Sequence, residues 1–285
     1  MSRRPGISIG LAIVVALVSC SSKRGTPGAS SSPGATPPTS GSVPSPTASG
    51  SLVPTASGAP GAATPTAGSG GGVATPPPGS KPFVARPAGT YTFATSGQTQ
   101  ISGAIKRTYQ LPPTTSLSVG APADGVQRSV RDMRDSQGNG GVTEMRVRTA
   151  PDGLHLVYLK NTSTFAGVTD VREFTPNPAP LILRTGAPAG DRLTFTLEGS
   201  DVRVSTTVDV LRRESVTISG KSVQTVVIRI VSSFSGDVNG TSTAINWLRP
   251  SDGLLLQEDS RSDIQAGFTR VRTNYTAKLE KLAPS

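Results

Sequence analysis

A few short stretches hold residue types that could do chemistry. Cys20 is the single cysteine of the chain and directly follows Leu17-Val18-Ser19, a position where a thiol can take a covalent group. His155 is the single histidine and could serve as a base or ligand. It alternates with Leu154 and Leu156 just after a turn, so its expected place is the outer surface of a strand, opposite the core. Gly6-Ile7-Ser8-Ile9-Gly10 has the spacing of a nucleophile elbow but lacks the strand, turn and helix that expose such a serine. Asp237-Val238-Asn239-Gly240 starts like a calcium loop, yet no acid follows where a bidentate ligand is required, and a hairpin turn accounts for it better. Neither a zinc-type cluster of cysteine and histidine nor a glycine-rich loop ending in Lys-Ser or Lys-Thr is present. The expectation is a protein that is not an enzyme, with no catalytic residues, no metal and no cofactor.

The surroundings of Cys20 decide what its thiol does. Arg3-Arg4 precede an apolar run from Ile7 to Val18, the layout of an export signal. That run is too short to cross a hydrocarbon core of ~30 Å, which takes about 20 helical residues, so cleavage is expected. No later stretch is long and apolar enough to span. Leu17-Val18-Ser19-Cys20 resembles the lipobox of bacterial lipoproteins: an aliphatic residue, a variable one, a small one and the lipidated cysteine. The resemblance implies that residues 1–19 are a signal peptide removed before Cys20, and that the thiol receives a diacylglyceryl group. Acyl chains such as palmitate would then hold the chain to a membrane, two chains giving durable anchoring. The implied location is the cell membrane or cell envelope, on the extracytoplasmic side. One cysteine forms no internal disulfide, and an exported domain of this size can rely on its own core.

Residues 20–82 follow as a tether. From Ser21 onward this stretch is almost wholly Ser, Thr, Pro, Gly and Ala, as in Thr75-Pro76-Pro77-Pro78-Gly79, a composition that cannot bury enough surface to fold. Every aromatic and every acidic residue lies beyond Pro82, so the expected domain is 83–285. As a flexible coil the tether would average about 45 Å end to end, and as polyproline helix it would reach roughly 190 Å. Such a spacer can carry a domain through or beyond wall polymer.

The chain has a formal charge of +10. Arg3, Arg4, Lys23, Arg24 and Lys81 precede the domain, which leaves it at +5. Its cations come in pairs such as Arg146/Arg148 and Arg270/Arg272 with acids between them, the pattern of a solvated face. No nucleic-acid partner is expected.

Within 83–285 a pattern recurs at a displacement of 100 positions. Asn139-Gly140 matches Asn239-Gly240, Asp152-Gly153-Leu154 matches Asp252-Gly253-Leu254, and Leu156 matches Leu256. Ala166-Gly167 matches Ala266-Gly267, and Thr169, Val171 and Arg172 match Thr269, Val271 and Arg272, without a gap. These matches predict two similar halves, about 90–188 and 190–285. Asn-Gly and Asp-Gly supply the positive φ of tight hairpin turns, so each half reads as an antiparallel meander. Val126, Val130 and Met133 are spaced for a helix, but their counterparts in 226–234 are dominated by β-branched residues, and both are read as strands. Further strands are expected at 91–95, 154–160, 164–174, 193–198, 202–211, 216–219, 243–247, 254–259 and 268–278. The 202–210 stretch alternates apolar and polar, so it faces water on one side, whereas 223–231 is apolar on both faces and belongs in the middle. The fold class is all-β: one large antiparallel sheet, a curved half-barrel or two packed sheets, preceded by a disordered tether.

The segment Trp247-Leu248-Arg249-Pro250-Ser251-Asp252-Gly253-Leu254, a strand that ends on an aromatic and turns through Asp-Gly into another strand, looks like the lipoprotein-carrier (LolA-like) half-barrel proteins. In that family a curved sheet wraps an apolar cavity for acyl chains; this chain differs in lacking helices to close the mouth. The expected function is a membrane-anchored, non-catalytic envelope lipoprotein that binds or carries a lipid or other amphipathic ligand. The alternative is a structural or interaction module docking to an envelope protein or wall glycan. Inward positions of a carrier should be apolar and unfilled, those of a docking module packed; ligand-contacting residues are not identifiable at this level.

Overall fold

The computed structural model describes residues 79–103 and 106–285. The expected signal peptide, lipobox and most of the tether lie outside the described residues. Alternation of inward apolar and outward polar side chains builds fourteen strands, and among the described residues there is no helix. The first seven are β1 (Gly89–Ser102), β2 (Arg107–Gln110), β3 (Thr114–Val119), β4 (Val126–Asp132), β5 (Gly140–Ala150), β6 (Gly153–Phe165) and β7 (Val168–Phe174). The rest are β8 (Leu181–Arg184), β9 (Arg192–Glu198), β10 (Val202–Ile218), β11 (Lys221–Gly236), β12 (Val238–Leu248), β13 (Leu255–Ala266) and β14 (Thr269–Leu279).

All pairings are antiparallel and join one sheet in the order β7-β6-β5-β4-β3-β1-β14-β13-β12-β11-β10-β9, with β2 added beside β1 and β8 beside β6. This large antiparallel sheet curls until its two edges nearly meet, giving an almost closed barrel. At the seam Arg172 of β7 is ion-paired with Asp201 in the β9–β10 turn. The ring of Phe174 lies so close to Gly199 that a Cβ there would stand 3.1 Å from it, and β8 lies beside β9. As expected, β10 faces water on one side: Val202, Val204 and Val208 are buried while Arg203 and Ser205 are exposed. β11 lies between β10 and β12 with Val226, Val227 and Ile228 all buried.

Several boundaries differ from expectation for physical reasons. The stretch 164–174 is two strands, because Ala166 and Gly167 both take positive φ (51° and 79°) and reverse the chain. The stretches 202–211 and 216–219 are one strand, since a bulge at Val210/Arg212 lets β10 bend without breaking its ladder. Asn139-Gly140 and Asn239-Gly240 are not the central residues of two-residue turns; they follow the β4–β5 and β11–β12 reversals, where the next strand starts. Gly240 has φ 142°, and a Cβ there would sit 2.2 Å from the Asp263 carbonyl oxygen. Glycine is required at that site by the approach of the next strand.

The strand order repeats between the halves, β1 and β3–β7 followed by β9–β14, but the matched residues do not all face the same way. Leu154, Leu156, Leu254 and Leu256 are all buried. Beyond them Val171 is 48% exposed while Val271 is fully buried, and Arg172 is buried while Arg272 is exposed. The opposite facing already holds one strand earlier: Met145 and Val147 are buried in β5, whereas Ala244, Asn246 and Leu248 are buried in β12, one position out of step with the 100-residue spacing. A slip of one residue turns a strand's side chains to the opposite face.

The interior is filled. Phe93, Leu117, Met145, Leu156, Leu159 and Leu197 have no exposed surface, each contributing about 1.5–3 kcal/mol by leaving water. Between the apolar layers lies a polar one. Arg131 of β4 is ion-paired with Glu258 of β13, both buried, and the Tyr275 hydroxyl donates to the other Glu258 oxygen at 2.6 Å. The Arg131 guanidinium lies 5.3 Å from the Phe93 ring centre and 5.7 Å from that of Tyr275, and their π faces give it further stabilisation. Burial, with Glu258 beside it, pushes the Tyr275 hydroxyl well above its ordinary pKa. Inward hydroxyls pair across strands, Thr95 with Thr115 at 2.8 Å and Thr206 with Ser232 at 3.0 Å.

Removing one charge from the buried pair strands the other. Glu258→Leu should therefore lower the unfolding free energy by about 3–5 kcal/mol in urea titrations. Arg131→Met combined with Glu258→Leu should recover most of that loss.

Candidate groove at the root of the tether

The strand ends gather two sets of loops, and the N-terminal segment of the domain enters one of them. Phe83 is buried there, and the Val84 amide donates to the Ser251 carbonyl in the β12–β13 turn at 2.9 Å. Arg86 is drawn wholly inside. Its Nε donates to the Asp252 carbonyl at 2.9 Å, its amide donates to Gln127 Oε1 at 3.1 Å, and Gln127 Nε2 donates back to the Arg86 carbonyl at 2.9 Å. Burial pushes the Arg86 pKa down to about 10, opposed by the charge of Asp252.

Asp252 also accepts from Arg249, with Nε at 2.9 Å from Oδ1 and Nη2 at 2.5 Å from Oδ2, and from the Leu254 amide at 3.0 Å. The hydrogen bonds to Asp252 raise the Arg249 pKa. The Asp-Gly pair of this turn has a conformational role, since Gly253 has φ 67°, and an ionic one through Asp252.

Around this plug lies a groove of about 440 Å³, a size within the range of small-ligand sites. Its floor is apolar: Phe83, Leu183, Ala187, Val226 and Leu248, all buried. Four cations line it, Lys81, Arg184, Arg213 and Arg249. Arg184 is paired with Asp191 at 3.0 Å and Arg249 with Asp252. Arg213 donates to the Ala187 carbonyl at 3.3 Å. The groove lining sets cations over an apolar floor, an arrangement suited to holding an anion with an apolar part. At the other set of strand ends, an opening beside Thr99, Thr143, Asn161 and Phe165 has about 50 Å³, room for little more than water.

The residues singled out in the sequence are distributed differently. Cys20, Leu17, Val18 and Ser19 lie outside the described residues, as does Gly6-Ile7-Ser8-Ile9-Gly10. His155 is not on an open surface: its Nε2 is 2.9 Å from Asp152 Oδ1 and its Nδ1 is 3.3 Å from the Ala179 carbonyl, beneath the segment that leads into β8. It ties that segment to β6. Among the described residues no group of three or more His, Cys, Asp or Glu is placed to hold a metal ion. The groove escaped sequence reading because its lining comes from five separate stretches. The available signals were Lys81 and Phe83 at the composition boundary and Arg249 within the turn motif.

Asp252→Asn should destabilise the fold by about 3 kcal/mol, because Arg249 and Arg86 lose the charge that balances them. Hydrogen exchange should accelerate at the Val84 and Leu254 amides before the rest of the sheet.

No family model and no curated protein sequence matches the chain. Among solved structures it is similar to a protein of Parabacteroides distasonis that bears a provisional lipoprotein name, at 12% identity and a TM-score of 0.35, over 71% of this chain and 98% of that one.

Proposed function

We propose that this chain is a non-catalytic envelope lipoprotein, anchored on the extracytoplasmic side of a membrane by acyl chains on Cys20, whose β domain binds an amphipathic ligand at its surface. The observation that carries the reading is the groove, an apolar floor beneath four cations at the point where the tether joins the domain. The lipobox-like Leu17-Val18-Ser19-Cys20 supports the anchor. A filled interior argues against carriage of acyl chains inside the barrel: its inward positions are packed by Phe93, Leu117 and Leu159 and crossed by Arg131–Glu258. The ligand therefore belongs at the rim. A second reading, docking to an envelope protein or wall glycan, is favoured by Val168, Val171 and Phe268, apolar side chains left exposed on and beside the hairpins away from the tether.

The anchor is tested by fractionating a bacterial host that expresses the chain. The expected result is recovery with membranes and a diacylglyceryl mass on the peptide that starts at Cys20, both lost in Cys20→Ser; a soluble wild type would sink the anchor. The ligand is tested by native mass spectrometry of residues 20–285 carrying Cys20→Ser, purified without detergent, followed by solvent extraction. Lipid at fixed stoichiometry is expected. A bare mass despite exposure to the host's lipids would move the function to the docking module.

A further inference from the structure

We propose that the groove docks the domain onto a membrane by clasping the headgroup of an anionic phospholipid, with the lipid phosphate paired by Lys81 and Arg213 and the glycerol end of its chains resting on Phe83, Leu183, Val226 and Leu248. The inference rests on the amphipathic-ligand reading above and names the ligand class and its contacts. Of the four cations, Arg184 and Arg249 already have carboxylate partners in Asp191 and Asp252. Lys81 and Arg213 line the same groove, are exposed, and have no carboxylate within ion-pair distance among the described residues. Two uncommitted cations over a buried apolar floor complement a phosphate that carries hydrocarbon.

The lip of the groove also distinguishes a bilayer from a soluble anion. Val84 is 59% exposed, and Pro82 and Pro250 line the opening beside it, so apolar groups stand next to the cations as they do in interfacial segments. A groove of about 440 Å³ is well short of a whole two-chain lipid, so the acyl chains stay in the bilayer and the contact is docking, not extraction. Residues 1–78 join the domain at Gly79, one residue before the groove lining begins at Ser80.

The test is sedimentation of residues 20–285 carrying Cys20→Ser with vesicles of phosphatidylcholine, and with vesicles in which part of it is replaced by phosphatidylglycerol. Binding is expected to the second only, and to weaken as salt rises. Lys81→Ala and Arg213→Ala should each lose about 5-fold in partitioning, and roughly 25-fold together, from the usual contribution of a basic residue at an anionic surface. Arg107→Ala with Arg261→Ala, the same charge change away from the groove, should lose less than 2-fold, because attraction falls off beyond about 10 Å. Val84→Gln should weaken binding with no change in charge. Equal loss in the groove and control pairs overturns the groove as the site. Absence of vesicle binding while lipid still copurifies in native mass spectra overturns this inference alone; absence of both removes the amphipathic-ligand reading as well. Preferential capture by a soluble anionic wall polymer would overturn the membrane as partner.

Discussion

Arg131 and Glu258 meet in the middle of the barrel, on strands β4 and β13 separated in the sheet by β3, β1 and β14. Each charge alone would be too costly to hold out of water, so each is tolerable only while the other is in reach. The pair thus ties the first half of the chain to the second across the interior. It also draws the walls together, since a guanidinium and a carboxylate in contact leave no lumen at that level. The rings of Phe93 and Tyr275 and the hydroxyl pairs around them complete a polar layer with apolar packing on either side. A barrel closed through its centre in this way leaves only its ends and outer face open, and the groove lies at one of those ends.

The second constraint is the seam. A sheet of this length has two edge strands, β7 and β9, with unpaired backbone groups that invite other chains. Here the edges face each other and are closed by side chains and an inserted segment: Arg172 to Asp201, Phe174 over Gly199, and β8 lying against β9. His155 holds the approach to β8 in place from below, with Asp152 on its other nitrogen. The same insertion then supplies Leu183, Arg184 and Ala187 to the groove. Closing the seam and building this wall of the groove are one structural act, so the groove could not exist on an open sheet of the same strands.

Much of the all-β fold was legible because alternation is a local property: Val202, Val204 and Val208 against Arg203 and Ser205 announce a strand with one wet face. β4 was read as a strand only through its counterpart at 226–234, and β8 was not anticipated. On β4 the inward residues are Gln127, Ser129 and Arg131, polar where the pattern demands apolar, because the interior there is a hydrogen-bonded and ionic layer. β8 is four residues long and takes its place from β6 and the seam, not from its own sequence. The repeat at 100 positions matches the recurring strand order but not the facing of side chains: Val171 is exposed and Val271 buried, and the inward sets Met145/Val147 and Ala244/Asn246 are likewise one residue out of step, while the turn motifs stay aligned. Lys81 and Arg213, far apart in the chain, have nothing in common until β10 and the N-terminal segment are folded together.

The root of the tether explains why this end of the molecule is built so differently from the other. A chain attached at a loose terminal strand would peel that strand from the sheet edge when pulled. Here a pull on residue 79 reaches Phe83 in the core and then Arg86, whose backbone is gripped in both directions by Gln127 and whose side chain is bound to the Asp252 carbonyl. Release would expose an aromatic ring and break several hydrogen bonds at once, including those of a buried cation, each worth about 1.5–3 kcal/mol when a charged group is involved. Load therefore passes to β4 and to the β12–β13 turn, well inside the sheet order. That turn also carries Arg249, Pro250 and Ser251 of the groove, so the part of the domain that resists the tether is the part that shapes the groove.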